Sequence, residues 1–242
     1  MQISIERYTP DQQQTWDDFV TASKQGTFLF LRPYMDYHAD RFHDHSLLFY
    51  ADRKLIALLP ACEDGHTLVS HGGLTYGGLI TGTSMTTALT LDIFEALRAY
   101  LRSTRFTRVV YRPTPYIYHR QPADEDLYAL FRQGAQLTAR EVSSAIFMPS
   151  PLKWRTLRRR GVAKAEKNGV KVKHGLEHLP AFWTVLDANL CERHGVHPVH
   201  TLEEMQLLSQ RFPRNIHLYT AWQGEEILGG MLLYFTPQVV HS

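Results

Sequence analysis

A strongly basic segment divides this 242-residue sequence and constrains its organisation more than any other feature. Residues 153–173 contain nine Lys or Arg and a single acid, Glu166, whereas the whole chain has a formal charge of only +2. Such a block is the strongest compositional boundary in the chain. We therefore expect two domains, over residues 1–149 and 150–242, with the second domain incomplete.

The composition excludes several classes of protein. With 44% hydrophobic and 21% charged residues, the chain belongs with globular proteins rather than disordered or fibrous ones. Its longest apolar run, residues 231–235, is far shorter than the roughly 20 residues that a membrane helix requires. No secretory signal precedes the first predicted strand, and the two cysteines, Cys62 and Cys191, lie in apolar-periodic segments. These features predict a cytoplasmic protein with no membrane insertion and reduced cysteines.

The pattern of the first half predicts alternating strands and helices. The spacing of Met85, Ile93 and Leu97 is typical of one buried face of a helix over residues 85–101. The turn residues 52–54 separate two apolar runs and predict a hairpin. The other predicted elements are strands at 3–8, 67–70, 108–111 and 136–148, and helices at 11–22 and 124–133.

The second half is predicted to repeat this order of elements. Ser150 and Pro151 are typical of a helix start, and Asn168-Gly169 of its end. A strand at 170–174, helices from 179 and over 201–211, and a hairpin over 215–235 follow. The fold class is therefore α/β (α+β), with two mixed-sheet modules, each a largely antiparallel sheet flanked by helices.

The basic helix predicted over residues 151–168 has two interpretations. It is either a solvated surface, or a site for a phosphate-bearing ligand, because cations this dense repel one another unless an anion lies nearby. On the second interpretation Arg159, Lys164 and Lys167 bind phosphate groups.

A polar segment follows the apolar stripe of the helix predicted from residue 179. Arg193 and His194 share a helix face with Leu186 and Leu190, so we expect them to point inward and to find partners or a cavity. His194, His197 and His200 follow at three-residue spacing. Gly195 and Pro198 interrupt any helix that would align them, which argues against a metal site. The other interpretations are that these histidines line a substrate pocket or have a purely structural role. The candidate catalytic residues are Arg193, His194 and His200.

Two loops of the first half offer substrate-binding side chains. A glycine-rich loop over residues 71–78 contains His71 and Tyr76, although its spacing matches no known phosphate-binding motif. A proline-rich loop follows the strand at 108–111, a common position for substrate contacts in α/β folds. It contains Tyr116, Tyr118 and His119, which are predicted to bind substrate or to pack over the core.

Three stretches of the second half resemble those of Fem-like transferases of the GNAT acyltransferase superfamily, which contain two GNAT-like domains. They are WRTLRRRGVAKAEKNGVKV, FWTVLDANLCERHG and IHLYTAWQGEEILGGMLLYF. The resemblance implies an acyl-CoA donor such as acetyl-CoA, or an aminoacyl-tRNA, and therefore tRNA as a partner. It implies a primary amine acceptor, either a small molecule or a cell-wall precursor, and direct attack of that amine without a covalent enzyme intermediate. No metal is expected, on the histidine spacing described above.

Two other functions stay open on the sequence. The basic helix could lead a non-catalytic module that binds RNA or a phosphate ligand. Alternatively, a degenerate GNAT scaffold could hold partner chains together, and an oligomer is compatible with either function. No carboxylate in the loops is distinctive enough to be assigned as a general base.

Overall fold

The computed structural model describes residues 2–242, which form two compact units. The first unit comprises Met1–Gln136 and Thr236–Val239, and the second comprises Leu137–Phe235 and Val240–Ser242. Both units contain largely antiparallel strands flanked by helices, so the predicted fold class is confirmed. The GNAT-like domain limits at 1–149 and 150–242 stay a prediction.

The first unit contains two sheets. One has the strand order β1-β2-β3-β6 and is antiparallel throughout, and the other has the order β4-β5-β7, in which β5 and β7 are parallel. The elements are β1 (Ile3–Arg7), α1 (Gln13–Ala22), α2 (Arg32–Met35), β2 (Leu47–Ala51), β3 (Lys54–Leu59), β4 (Cys62–Asp64), β5 (Thr67–Val69), β6 (Ile80–Thr81), α3 (Thr87–Arg102), β7 (Arg108–Val110) and α4 (Glu125–Arg132).

The hairpin of β2 and β3 forms as predicted. Asp52 and Arg53 both adopt left-handed backbone conformations, with φ of 48° and 67°, which match the twist of two strands joined by a two-residue loop. The hairpin and the amphipathic helix α3 bury the main core of the unit, which includes Leu47, Phe49, Ala57, Leu59, Ile93, Phe94 and Leu97. Local turn chemistry and helical periodicity therefore build the scaffold of this unit.

The second unit contains one antiparallel sheet with the strand order β11-β10-β9-β8. Its elements are α5 (Thr156–Lys167), β8 (Val170–His174), α6 (Leu179–His194), α7 (Leu202–Arg211), β9 (Ile216–Gln223), β10 (Glu226–Phe235) and β11 (Val240–His241). A small core combines α6, α7 and β9 through Leu179, Phe182, Met205, Leu208, Ile216 and Leu218.

A glycine lets α6 approach the sheet closely. A Cβ atom on Gly230 of β10 would lie only 2.7 Å from a ring carbon of Phe182, so no larger residue fits at this position. The capping box predicted for α7 is also present, because Thr201 Oγ1 accepts the Glu204 backbone N–H at 3.1 Å and the Glu204 carboxylate accepts the Thr201 N–H at 2.9 Å.

Two predicted elements are wrong. Residues 136–148 form no strand, and their apolar side chains, such as Val142 and Ile146, are exposed. A strand pattern produces a strand only where a neighbouring strand completes its hydrogen bonds, and none does so here. The basic helix begins at Thr156 rather than at Pro151. Ser150 and Pro151 permit a helix start without requiring one, and the residue before the first turn is instead Arg155, whose backbone is extended with ψ of 144°.

Candidate functional site

The two loops predicted to bind substrate lie side by side in the first unit. β5 and β7 pair in parallel, with Val69 opposite Val110, so the loops that follow them leave the same edge of the sheet. The Gly77 N–H donates to the Arg112 carbonyl at 3.0 Å, and the Thr114 hydroxyl donates to the Gly77 carbonyl at 2.8 Å. The carboxyl ends of parallel strands are a frequent location of ligand sites. We call residues 70–79 and 111–119 together the loop pair.

The glycines of the loop pair serve close packing rather than anion binding. A Cβ on Gly77 would lie 2.0 Å from the Ser70 carbonyl oxygen, and one on Gly73 would lie 2.3 Å from His38 Nε2. The backbone N–H of Gly72 contacts Cys62 Sγ, and that of Gly73 contacts His71 Nδ1. Because these N–H groups and that of Gly77 already have partners, they are not available to a phosphate group.

His71 is buried and neutral. Its backbone is left-handed, with φ of 54°, and its ring stacks on that of His38 with centroids 5.4 Å apart. Burial, reinforced by His38, lowers the pKa of His71 to about 4. The Gly73 N–H donates to Nδ1, which places the proton of the neutral ring on Nε2. The imidazole therefore supports the loop and is a weak base at neutral pH.

Tyr76 and Tyr118 are brought together, one from each loop. Their ring centroids lie 4.6 Å apart, and the Tyr76 hydroxyl donates to Thr27 Oγ1 at 3.0 Å. Both side chains are buried, and burial raises the pKa of each hydroxyl. These tyrosines act as packing residues that fix the two loops against each other.

Tyr116 and His119 are the members of the predicted set that face solvent at least in part. The Tyr116 side chain is exposed, and His119 is half-buried. His119 Nε2 donates to the Thr114 carbonyl at 3.0 Å, so in the neutral ring Nδ1 is the acceptor. Within residues 2–242, no hydrogen-bond partner reaches that Nδ1 atom. The Nδ1 atom is itself buried, so His119 carries an acceptor that lies inside the loop pair and not on its surface.

The sequence analysis missed two positioning residues of the loop pair, Tyr111 and Asp126. The Tyr111 hydroxyl donates to Asp126 Oδ2 at 2.6 Å and accepts the Leu79 N–H at 2.6 Å. Burial raises the pKa of Asp126, and burial together with the Asp126 carboxylate raises the pKa of Tyr111 well above its usual value. Asp126 lies in the first turn of α4, and this position in the sequence is the signal that could have indicated its positioning role.

The predicted phosphate-binding residues lie on α5 of the second unit. No residue of α5 is buried, and the helix places Arg160, Lys164 and Lys167 on one face and Arg159 on another. In the part of the chain that the structure describes, none of the Lys or Arg side chains of α5 forms an ion pair. These cations are available to an anionic ligand.

The candidate catalytic residues do not point inward as predicted. Arg193 and His194, in the last turn of α6, are both exposed, and His200 is half-buried. The buried stripe of α6 is confined to its first turns, at Leu179 and Phe182, so the far end of the helix has no core to face. Cationic side chains at a helix C-terminus interact favourably with the helix dipole. A position at the end of α6 therefore needs no surrounding pocket to stabilise it.

A cavity of about 240 Å³ opens elsewhere in the first unit, between the start of β3 and the N-terminal end of α3. It is lined by Phe19, Lys54, Gly82 and Met85 among others, and none of the predicted site residues lines it. The loop pair therefore does not form the wall of this cavity.

Comparison with solved structures identifies a similar fold. The chain matches the crystal structure of FemX with a TM-score of 0.54 and 13% sequence identity. The match covers 90% of this chain and 57% of the FemX chain, so the chain spans a little over half the length of FemX. The predicted resemblance to a Fem-like, GNAT-type fold is thus confirmed for the fold.

Comparisons of the sequence itself add nothing to this match. No protein-family model matches the sequence, and no curated protein matches it. Among residues 2–242, no helix combines the length and the apolar character needed to traverse a bilayer.

Proposed function

We propose that this chain is a Fem-like acyltransferase that moves an acyl or aminoacyl group from acyl-CoA or an aminoacyl-tRNA onto a primary amine. The observation that supports this function most directly is the likeness of the fold to that of FemX over 90% of the chain. The resemblance of the basic helix and of the segments after it to Fem-like transferases supports the same class. The acceptor, a small molecule or a cell-wall precursor, is part of the proposal.

The proposed reaction needs positioning rather than a covalent enzyme intermediate. The amine nitrogen attacks the donor carbonyl carbon, and the resulting tetrahedral intermediate expels the CoA thiolate or the tRNA ribose oxygen, which takes up the proton that the amine loses. Side chains that donate hydrogen bonds to the developing oxyanion lower the activation barrier. We assign that role to Arg193, His194 and His200, which are polar side chains at and after the end of α6.

The acceptor contacts are assigned to the loop pair. Tyr116 offers an exposed hydroxyl, and the half-buried His119 contributes an Nδ1 acceptor that is itself buried and has no partner among residues 2–242. His71, Tyr76 and Tyr118 complete the predicted acceptor-binding set as the buried residues that hold these loops in place.

The donor phosphates are assigned to α5. In the glycine-rich loop, the N–H groups of the three glycines described above already have partners within the protein. By contrast, Arg159, Lys164 and Lys167 are exposed and have no carboxylate partner in the described residues. CoA and tRNA both present several phosphates, which suit a helix with exposed cations on more than one face. Binding by α5 is therefore the favoured origin of donor affinity.

A thermal-shift titration with CoA and acetyl-CoA, at low and moderate salt, tests the donor. A ligand that binds only the folded chain raises its Tm, and we expect a saturable rise with acetyl-CoA that persists at moderate salt. The triple variant R159Q/K164Q/K167Q should lose this rise. The matched control R102Q/R108Q/R140Q removes three exposed cations elsewhere and should retain it.

Enzymatic turnover tests the assignment at the end of α6. His194→Ala should leave the fold intact, because the side chain is exposed, and should lower the rate of acyl transfer to a primary amine. An unchanged rate would remove His194 from the site. Circular dichroism of the variant separates loss of turnover from loss of structure.

The second candidate is a non-catalytic RNA-binding module, which the exposure of α5 and of the neighbouring Trp154 favours. It predicts RNA affinity that falls steeply with salt, since each neutralised phosphate releases counterions. Binding of RNA without any transfer from acetyl-CoA or aminoacyl-tRNA would decide for this module. Transfer to an amine would decide for the enzyme.

A further inference from the structure

Three side chains with metal-binding atoms converge at the end of α6, and none of them belongs to the groups used above. Asp187 and Cys191 lie one turn apart on the same face of the helix, and His197 follows the helix end. His197 Nδ1 lies 2.7 Å from Asp187 Oδ1, and Cys191 Sγ lies 3.4 Å from His197 Nδ1 and 3.9 Å from Asp187 Oδ1. One oxygen, one nitrogen and one sulfur thus surround a single point.

The reversal of the chain at Gly195 creates this convergence. Gly195 is left-handed, with φ of 64°, and its N–H donates to the Cys191 carbonyl at 3.0 Å. The next N–H, that of Val196, contacts the Leu190 carbonyl at 3.5 Å. This helix ending turns the chain back along α6, so His197 lies beside Cys191. The spacing of His194, His197 and His200 does not reveal this set of ligands, because only His197 belongs to it.

The geometry is that of a ligand set rather than of a nucleophile relay. In a Cys-His-Asp relay, the thiol and the carboxylate contact opposite nitrogens of the imidazole. Here both Asp187 and Cys191 contact Nδ1, and Nε2 lies 3.9 Å from Cys191 Sγ. The carboxylate therefore does not orient the ring toward the thiol, and all three groups compete for one site.

We propose that Asp187, Cys191 and His197 bind a thiophilic divalent cation, of which Zn²⁺ is the best match. Tetrahedral zinc bonds of about 2.0–2.3 Å place neighbouring ligand atoms roughly 3.3–3.6 Å apart. The observed separations of 2.7, 3.4 and 3.9 Å surround that range, so small side-chain rotations suffice. A carboxylate, an imidazole and a thiolate are all zinc ligands, and three of them leave a fourth position for water or another ligand.

The cluster is open to an ion from solution. The side chains of His197 and Asp187 are 77% and 44% exposed, so no rearrangement of the core is needed for entry. As the metal–sulfur bond forms, the Cys191 thiol releases its proton to the solvent. The site is independent of the proposed acyl transfer, since none of its three ligands has a role in that reaction.

Cobalt is the direct probe of this site. Co²⁺ titrated into the whole chain should give a saturable thiolate-to-cobalt absorption at one equivalent, which Zn²⁺ then displaces. Loss of an outer partner of a metal site typically costs about 10–100-fold in affinity, so we expect Cys191→Ser, Asp187→Asn and His197→Ala each to weaken binding by at least about 100-fold. Cys191→Ser should also abolish the absorption.

The controls separate this site from adventitious binding. Cys62→Ala removes the other thiol, and His43→Ala removes an exposed histidine of the first unit, and both should bind Co²⁺ as the parent chain does. Zn²⁺ should raise the Tm of the parent and of both controls, and not that of the three ligand variants. Absence of saturable binding, or an equal loss in Cys62→Ala and Cys191→Ser, would overturn the proposal and leave only the His197–Asp187 ion pair.

Discussion

The two units bury their strands to very different extents. In the first unit, every residue of β2 except Tyr50 is buried, whereas no residue of β10 in the second unit is. The contrast extends to the helices, since α3 buries Thr90, Ile93, Phe94 and Leu97, and α5 buries none of its residues. Burial of apolar area is the main source of folding free energy. The first unit therefore supplies most of the stability, and the second unit presents cationic and apolar side chains to solvent.

The largest expected effect compares two phenylalanines. Phe49 is fully buried in β2, and Phe147 is 71% exposed in the second unit. Phe49→Ala should lower the free energy of unfolding by about 3–5 kcal/mol, because it removes buried area and leaves a cavity. Phe147→Ala should change it by less than about 0.5 kcal/mol. Urea unfolding followed by circular dichroism measures both, and similar losses would contradict the comparison.

The next effect is a loss of stability of the first unit in acid. Because burial lowers the pKa of His71 from 6.5 to about 4, the unfolded chain binds a proton in this window that the folded chain does not. The free energy of unfolding should therefore fall as the pH drops from 6.5 to 4, by about 3 kcal/mol on account of this residue.

The variant His71→Asn isolates this contribution. Asparagine tolerates the left-handed backbone of position 71 and does not titrate. Urea unfolding at pH 7 and pH 4 should show a smaller loss of stability in the variant than in the parent chain. Equal losses would mean that other groups cause the acid sensitivity.

A glycine of the loop pair should be intolerant of substitution. Gly77→Ala places a Cβ 2.0 Å from the Ser70 carbonyl oxygen, so the loop over residues 70–79 must open at this point. We expect a loss of about 1–3 kcal/mol in the free energy of unfolding, typical of overpacking. Thermal unfolding monitored by circular dichroism measures it, and a variant as stable as the parent would show that this loop is not packed so closely.

The smallest effect has the opposite sign and lies in the second unit. Gly161 is inside α5, and a Cβ there meets nothing within 4 Å. Gly161→Ala should stabilise the helix by about 0.5–1 kcal/mol, because alanine loses less backbone entropy. An increase in helical signal with a small rise in Tm is the expected result. A decrease would indicate that α5 is held in contacts that exclude a methyl group.

Local patterns predicted much of the fold correctly. The hairpin at Asp52-Arg53, the helix α3 and the capping box of α7 depend on residues close in sequence, and all three are present. The strand at 136–148 failed because strands depend on partners that a local pattern does not specify. The start of α5 was misplaced because a favourable pair such as Ser150-Pro151 permits a helix start without requiring one.

The site was predictable only in part. The positions of Tyr76 and Tyr118 after strands follow from the sequence, but the parallel pairing of β5 and β7 that brings them together does not. Whether a side chain faces the core depends on tertiary packing, which is why Arg193 and His194 were expected inside and lie outside. The proximity of Cys191 and His197 depends on one left-handed residue, Gly195, whose effect on the chain direction the spacing of the histidines does not reveal.

The parallel pairing of β5 and β7 also bears on the order of folding. These strands are joined through the whole of α3, so their contacts form only after a long loop has closed, which is entropically costly. The β9–β10 hairpin of the second unit closes across a short turn, on a timescale of about 1–10 μs for such hairpins. The loop pair, with its proposed acceptor contacts, is therefore assembled late when the complete chain refolds, after the β9–β10 hairpin has had time to form by rapid local folding.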